Sequence, residues 1–308
     1  MDLELPIRLE RTQSRKISVR NGSRQIAVRL CGDFEDASRL PIICIAGYQR
    51  NMSDFFAFAD KFSEFSAKNW PIVRVDLLGR GDASHAPKSE DYSTLDDASD
   101  MADMCRALGI HKAIWFGQSH GGQVIMALSA KTPALIGAAV LCDAGALISA
   151  QGLVRMRNNL KFLAKIRNQE DALNAMRKIL VAEYPSLGTG KLDSISGRTH
   201  QWNKKRRRLE PRFDWRLLER LDAFDNDDVL SSNWEMFDSL GQIPLLMMRT
   251  QNTDLLRADV YQRMLTRRPD AISLTVVGEG SPALLENAEE MGAIAEFIVH
   301  SNKLVLKA

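Results

Sequence analysis

Two alternating segments open the chain, Lys16-Ile-Ser-Val-Arg20 and Arg24-Gln-Ile-Ala-Val-Arg-Leu30. They flank Asn21-Gly22, a pair that tolerates positive φ at both positions, and the spacing predicts an antiparallel hairpin. Four short apolar runs follow: Pro41 to Ile45, Pro71 to Val75, Lys112 to Phe116 and Leu135 to Leu141. Runs of this length without alternation suit strands buried on both faces of a parallel sheet. Helical patterns lie between and after them, at about Met52 to Ala67, Thr94 to Leu108 and His120 to Lys131. Strand and helix in this alternation predict right-handed crossovers and a doubly wound α/β sheet.

The rhythm breaks after Cys142. Residues 149–233 read as amphipathic helix, as in Leu153 to Leu163, with no convincing strand. Alternation returns with a strand at Ile243 to Met248, a helix near Ala258 to Leu265, a strand at Ala271 to Val277 and a helix from about Ala283 to Val299. The expected organisation is therefore a core of residues 1–148 and 234–308, interrupted by a helical cap at 149–233. Internal repeats and low-complexity segments are not visible.

Composition narrows the partners. Across 308 residues, 41 basic and 39 acidic side chains leave a formal charge of +2, too little for a broad nucleic-acid footprint. Lys204-Lys-Arg-Arg-Arg208, inside the helical insertion, is then read as a solvated face. Cys31, Cys44, Cys105 and Cys142 lie far apart in mostly apolar surroundings and read as buried thiols, not as a zinc site or disulfide framework. Met1 to Glu10 lacks the apolar stretch of a secretory signal, and no window approaches a membrane span. The expectation is a cytoplasmic protein that binds a small molecule, without nucleic acid, membrane, metal or cofactor; a homodimer is left open.

Gly117-Gln-Ser-His-Gly121 fits a nucleophile elbow, in which a serine sits on a tight strand-to-helix turn between small residues. By itself the pattern is modest, since a glycine-rich loop would look the same. Its place directly after an apolar strand and directly before a helix is what the elbow requires.

Several other segments fall in register with that elbow. They are Ala46-Gly-Tyr-Gln-Arg-Asn-Met-Ser-Asp-Phe55, Asp76-Leu-Leu-Gly-Arg-Gly-Asp-Ala-Ser84, Leu141-Cys-Asp-Ala-Gly145 and Arg249-Thr-Gln-Asn-Thr-Asp-Leu-Leu256. With them the chain resembles the α/β-hydrolase superfamily from about Ile26 to Phe297, and in particular its bacterial branch of small capped esterase-like and lactonase-like hydrolases. The resemblance implies Ser119 as nucleophile and Asp254 as the acid, with Asp143 as the alternative acid; either aspartate also suits the capping of a turn. It implies an oxyanion site at Gly47 and Tyr48, completed by the main-chain N–H of His120.

The chain departs from the family at Gly278-Glu-Gly-Ser-Pro282. Relatives carry the general-base histidine where Ser281 stands. A serine hydroxyl neither titrates near neutrality nor has the reach of an imidazole, so the base position is vacated. Of the five histidines, His85 lies in a loop expected near the site mouth, and His111 and His300 are expected far from it. His200 is placed in the cap, in surroundings expected to be too flexible for a precise base. Three readings stay open at this point: a serine hydrolase of a small apolar ester, lactone or amide, impaired or not; a receptor-like binding protein that lost its base; and an engineered replacement at 281.

Overall fold

The computed structural model describes residues 13–228 and 230–307, and Met1 to Glu10, where no secretory signal was expected, lies outside them. The hairpin forms as the alternation predicts, from β1 (Arg15–Val19) and β2 (Arg24–Cys31), paired antiparallel with Ile17 opposite Ile26. Arg20, Asn21 and Gly22 all take positive φ at its turn. The sheet continues with β3 (Ile42–Ile45), β4 (Ile72–Asp76), β5 (Ala113–Gln118) and β6 (Ile136–Cys142).

Helices α1 (Phe56–Phe65), α2 (Thr94–Leu108) and α3 (His120–Lys131) connect these strands, α1 being led in by a 3-10 turn at Met52–Phe55. Between β6 and the next sheet strand run α4 (Ala150–Leu163), α5 (Gln169–Glu183), α6 (Thr189–Thr199), β7 (His200–Asn203), β8 (Arg208–Pro211), α7 (Arg216–Glu219) and α8 (Trp234–Asp238). β9 (Leu245–Thr250), α9 (Ala258–Arg267), β10 (Ile272–Val276) and α10 (Ala288–Lys307) complete the chain. The strand order is β1-β2-β4-β3-β5-β6-β9-β10, with β2 antiparallel to β4 and every later pair parallel.

Because side chains alternate across a strand, each central strand feeds two cores. Ile43, Ile45, Val73, Val75 and Trp115 pack with α2, α3, α8 and α9 on one face. Ile42, Cys44, Ile72, Ile114 and Phe116 pack with α1 and α10 on the other. Cys44, Cys105 and Cys142 are buried free thiols as expected, whereas Cys31 is only half-buried. Among the described residues no helix is long and apolar enough to cross a membrane.

Two local expectations need correction. Residues 149–233 do contain strands: β7 and β8 pair antiparallel, with His200 opposite Pro211, and Lys204 to Arg208 run through that hairpin instead of lying on a helix. Asn203 holds the turn by accepting the N–H of Arg206 at 2.9 Å. After the hairpin, the chain pairs with the loop at 79–81, Gly81 N–H donating to Arg212 at 2.8 Å and Asp214 N–H to Gly79 at 2.7 Å. The second correction concerns the last helix, which begins at Ala288 and not near Ala283. Leu285 takes φ 56°, which breaks a helix there, and its side chain is buried in the sheet core.

Candidate active site

β5 delivers Ser119 directly to the first turn of α3. Its backbone lies at φ 49° and ψ −113°, and its N–H donates to the Cys142 carbonyl at 2.7 Å. A non-glycine residue at positive φ carries strain of about 1–3 kcal/mol and persists only where its surroundings hold it. Here two glycines make the bend feasible. A Cβ on Gly117 would stand 2.4 Å from the Gly122 nitrogen, and one on Gly121 would stand 2.1 Å from the Ile45 oxygen.

The serine sits on the wall of two hollows. One, of about 360 Å³, is shared by Ser119, His120 and Asp143 and faced by the apolar side chains of Leu153, Phe224 and Leu230. The other, of about 120 Å³, brings Gly47, Tyr48, Arg50, Asp254 and Ser281 together with Ser119. Tyr48, Met156 and Leu255 line both, so the hollows adjoin at the serine.

Gly47 is close enough that a Cβ there would lie 3.6 Å from the Ser119 Cβ. His120 is the first residue of α3, where N–H groups lack an intrahelical acceptor. The side chains beside Tyr48 and His120 form a buried network that motif reading did not foresee. Arg80, from the Gly79-Arg-Gly81 turn, donates to the Tyr48 carbonyl at 2.9 Å and lies over the Tyr48 ring at 5.4 Å. It also approaches Asp97 at 3.5 Å, and Asp97 holds His120 Nε2 at 2.8 Å. Burial raises the Asp97 carboxyl, but Arg80, His120 and Arg20 outweigh it and hold the group below the usual carboxylate range. Burial pushes the His120 imidazole down despite the Asp97 bond.

The two candidate acids differ in their partners, and Ser281 faces only one of them. Asp143, at φ 50° just past β6, is 2% exposed and anchored to Thr250, whose N–H donates at 2.8 Å and whose hydroxyl donates at 2.7 Å. Burial pushes its carboxyl up to about 6, partly opposed by Thr250 and by the side chain of Ser281, which faces it. Asp254 is turned to Arg155, which donates to Oδ1 at 2.9 Å and to Glu183 at 2.6 Å. Ser281 is thus beside Asp143, while Asp254 belongs to a partly exposed ion cluster at the cavity rim. Gln118 ties the 281–283 loop to the elbow by donating to the Ala283 carbonyl at 2.9 Å, and Glu183 accepts the Ser281 N–H at 3.2 Å.

The histidines fall into three groups. His111 and His300 are exposed, His111 just before β5 at the sheet edge opposite the elbow. His85 is largely exposed, 3.7 Å from Asp214, and lines neither hollow at Ser119. His200 differs from expectation. It opens β7, is 8% exposed, and lines the smaller hollow together with Ser119 and Ser281. Its surroundings are thus packed instead of flexible, a consequence of the hairpin that pattern reading missed. Among the described residues no group of three or more His, Cys, Asp or Glu side chains is placed to hold a metal ion.

Comparison with known proteins bears on this arrangement. The chain is 22% identical over 280 residues to 3-hydroxybutyrate-oligomer hydrolase from Cupriavidus necator, covering 87% of this chain and 91% of that one. The fold is similar to an alpha/beta hydrolase from Novosphingobium aromaticivorans, with a TM-score of 0.79 and 26% identity over 93% of this chain and 98% of the other. It is also similar to a thermophilic esterase from Thermogutta terrifontis, with a TM-score of 0.69 and 16% identity over 94% of this chain and all (100%) of that one. Residues 41–264 match the family described as the alpha/beta hydrolase fold, and with the elbow, strand order and adjoining hollows already in place, the chain belongs to that family.

Proposed function

We propose that the protein is a serine hydrolase acting on a small, largely apolar carboxylic ester, lactone or amide, with Ser119 as nucleophile. The observation that carries this reading is the strained backbone of Ser119, which holds its side chain on two adjoining hollows. Strain of this kind is kept where a side chain must be presented in one geometry. The acyl carbon would meet Ser119 Oγ while its carbonyl oxygen accepts from the N–H groups of Tyr48 and His120. Leu153, Phe224 and Leu230 suit an apolar acyl or alcohol group, and helices α4 to α6 would act as a cap over it. Similarity to a 3-hydroxybutyrate-oligomer hydrolase supports an ester in particular.

Asp143 is the acid we favour over Asp254, because it is buried, oriented by Thr250 and faced by Ser281. A fluorophosphonate probe tests the nucleophile, since it needs an activated hydroxyl. Labelling is expected at Ser119 and lost in Ser119→Ala, together with turnover of short-chain aryl esters. Labelling elsewhere, or none in any background, would remove the reading.

A second reading has its own support. With Ser281 facing Asp143, the acid is satisfied without an imidazole, as suits a binding protein that retains the pocket. Stoichiometric, non-turned-over binding of small esters would favour it.

A further inference from the structure

Among the described residues His200 is the one histidine outside the elbow that lines a hollow with Ser119, and the proposed acyl transfer leaves it without a role. Its ring is fixed from several sides. Nδ1 is 2.9 Å from the Thr199 hydroxyl, and the ring stands edge-on to Phe213 at 6.0 Å between centroids. The strand beneath it is tied to both neighbouring loops: Arg212 N–H donates to the Thr199 carbonyl at 2.7 Å, and Asn51 Nδ2 donates to the Arg198 carbonyl at 2.6 Å. Asn51 belongs to the loop that carries Gly47 and Tyr48, so the imidazole and the proposed oxyanion donors are held by one connected frame.

Proton placement follows from the hydrogen bonds. The Thr199 hydroxyl has one proton, which it gives to the Ser196 carbonyl at 3.2 Å. With that bond made, Thr199 Oγ1 accepts from His200 Nδ1–H in the tautomer that leaves Nε2 unprotonated, which is the tautomer a base at Nε2 requires. Burial, followed by the positive charges of Arg50 and Arg212, pushes the imidazole down to about 4, so the ring is neutral at pH 7. A neutral imidazole with one nitrogen already committed as donor and the other free to accept is in the state a general base requires.

Resting on the serine-hydrolase reading, we propose that His200 supplies the base that position 281 lacks, its Nε2 taking the Ser119 hydroxyl proton directly or through one water in the shared hollow. As Oγ bonds to the acyl carbon, the carbonyl π pair moves onto oxygen and the Oγ proton passes to Nε2. The tetrahedral adduct then collapses, the bond to the leaving oxygen breaks, and the imidazolium returns the proton to that oxygen. In the second half a water attacks the acyl carbon and gives a proton to Nε2; the adduct collapses, the bond between the acyl carbon and Ser119 Oγ breaks, Nε2 returns the proton to Oγ, and the carboxylic acid leaves. Arg50 beside the ring disfavours the imidazolium, so the contribution belongs at the low end of the usual range for a general base, about a hundredfold.

The test compares His200→Gln in two backgrounds, reading the rate of fluorophosphonate labelling at Ser119 and the kcat for a p-nitrophenyl ester. In the unsubstituted background the change is expected to lower both about a hundredfold with little effect on KM. In the Ser281→His background, where a second imidazole is present, the cost is expected to shrink at least tenfold. A purely structural His200 would cost the same in both backgrounds, and that result overturns the inference. Added imidazole should restore labelling to His200→Ala, which also separates lost chemistry from lost packing. Labelling that ignores His200 overturns this proposal alone. If the unsubstituted protein is inert and Ser281→His is active, His200 is not a base while the nucleophile assignment stands. Inertness of both overturns the two together.

Discussion

Both carboxylate oxygens of Asp143 are held by Thr250, one by its N–H at 2.8 Å and the other by its hydroxyl at 2.7 Å. The two residues sit at the ends of adjacent parallel strands, β6 and β9. That double grip fixes the carboxylate's orientation, the Ser281 side chain facing it as a further partner, and it explains how Asp143 stays set in place beside a residue that cannot act as a base.

Ser281→His should therefore meet a partner already oriented. We expect the substitution to raise aryl-ester turnover at least a hundredfold, because the absence of a triad histidine typically costs on the order of a millionfold. In that background Asp143→Asn should remove most of the gain, and Asp254→Asn should change it several-fold at most. The reverse ranking of the two aspartates, measured by kcat/KM, would return the acid role to Asp254.

Packing around the elbow leaves no room for a methyl group. Gly121→Ala puts a Cβ 2.1 Å from the Ile45 carbonyl oxygen, and neither partner is the end of a flexible side chain. Overpacking of this kind costs about 1–3 kcal/mol or more. A clear drop in melting temperature with loss of Ser119 labelling is expected; an unchanged melt would mean that the bend is looser than described.

Arg80 joins the two proposed oxyanion donors through Tyr48 and, by way of Asp97, His120. Arg80→Met leaves Asp97 buried without its guanidinium, a loss of about 3–5 kcal/mol by comparison with other broken buried pairs. Turnover should fall with stability, and Arg80→Lys should recover part of the charge but not the bond to Tyr48. Full activity in Arg80→Met would detach this network from the oxyanion site.

Asp76 provides a pH signature. Burial pushes its carboxyl up to about 7, although Asp82 and Met52 N–H groups donate to it at 2.8 and 2.6 Å. In the unfolded chain the same group ionises near 3.9. The folded state thus binds the extra proton between those values, so this stabilising contribution is complete below about pH 4 and lost as pH rises through 7. Asp76→Asn removes the slope: whatever its constant cost, its melting temperature relative to the natural protein should be higher at pH 8 than at pH 4.5. Parallel curves would show that Asp76 stays ionised.

Much of this is legible in the sequence. Ile42 to Ile45 and Ala113 to Phe116 are apolar at every position because both faces of a central strand are covered, and such a run has few other uses. Ser119 could be singled out because Gly117 and Gly121 on either side permit a bend that larger residues would block. The hairpin at β7 and β8 escaped notice because its strands are short and polar, and because their pairing with the 79–81 loop is a contact between distant parts of the chain. Arg80 lay in a noticed motif, yet its role as a buried tie depends on Asp97 and Tyr48 arriving at the same place.

The sequence by itself determined the order of the strands and helices of the main sheet, the position of the nucleophile candidate and the absence of histidine at 281, since each rests on residue type and local periodicity. Only the tertiary structure decided which aspartate position 281 faces and which histidine shares a hollow with Ser119. Asp143 and Asp254 both follow strands in the sequence, and His200 lies 81 positions from the elbow by its number alone. Proximity among such residues is set by long-range packing, which no local pattern encodes.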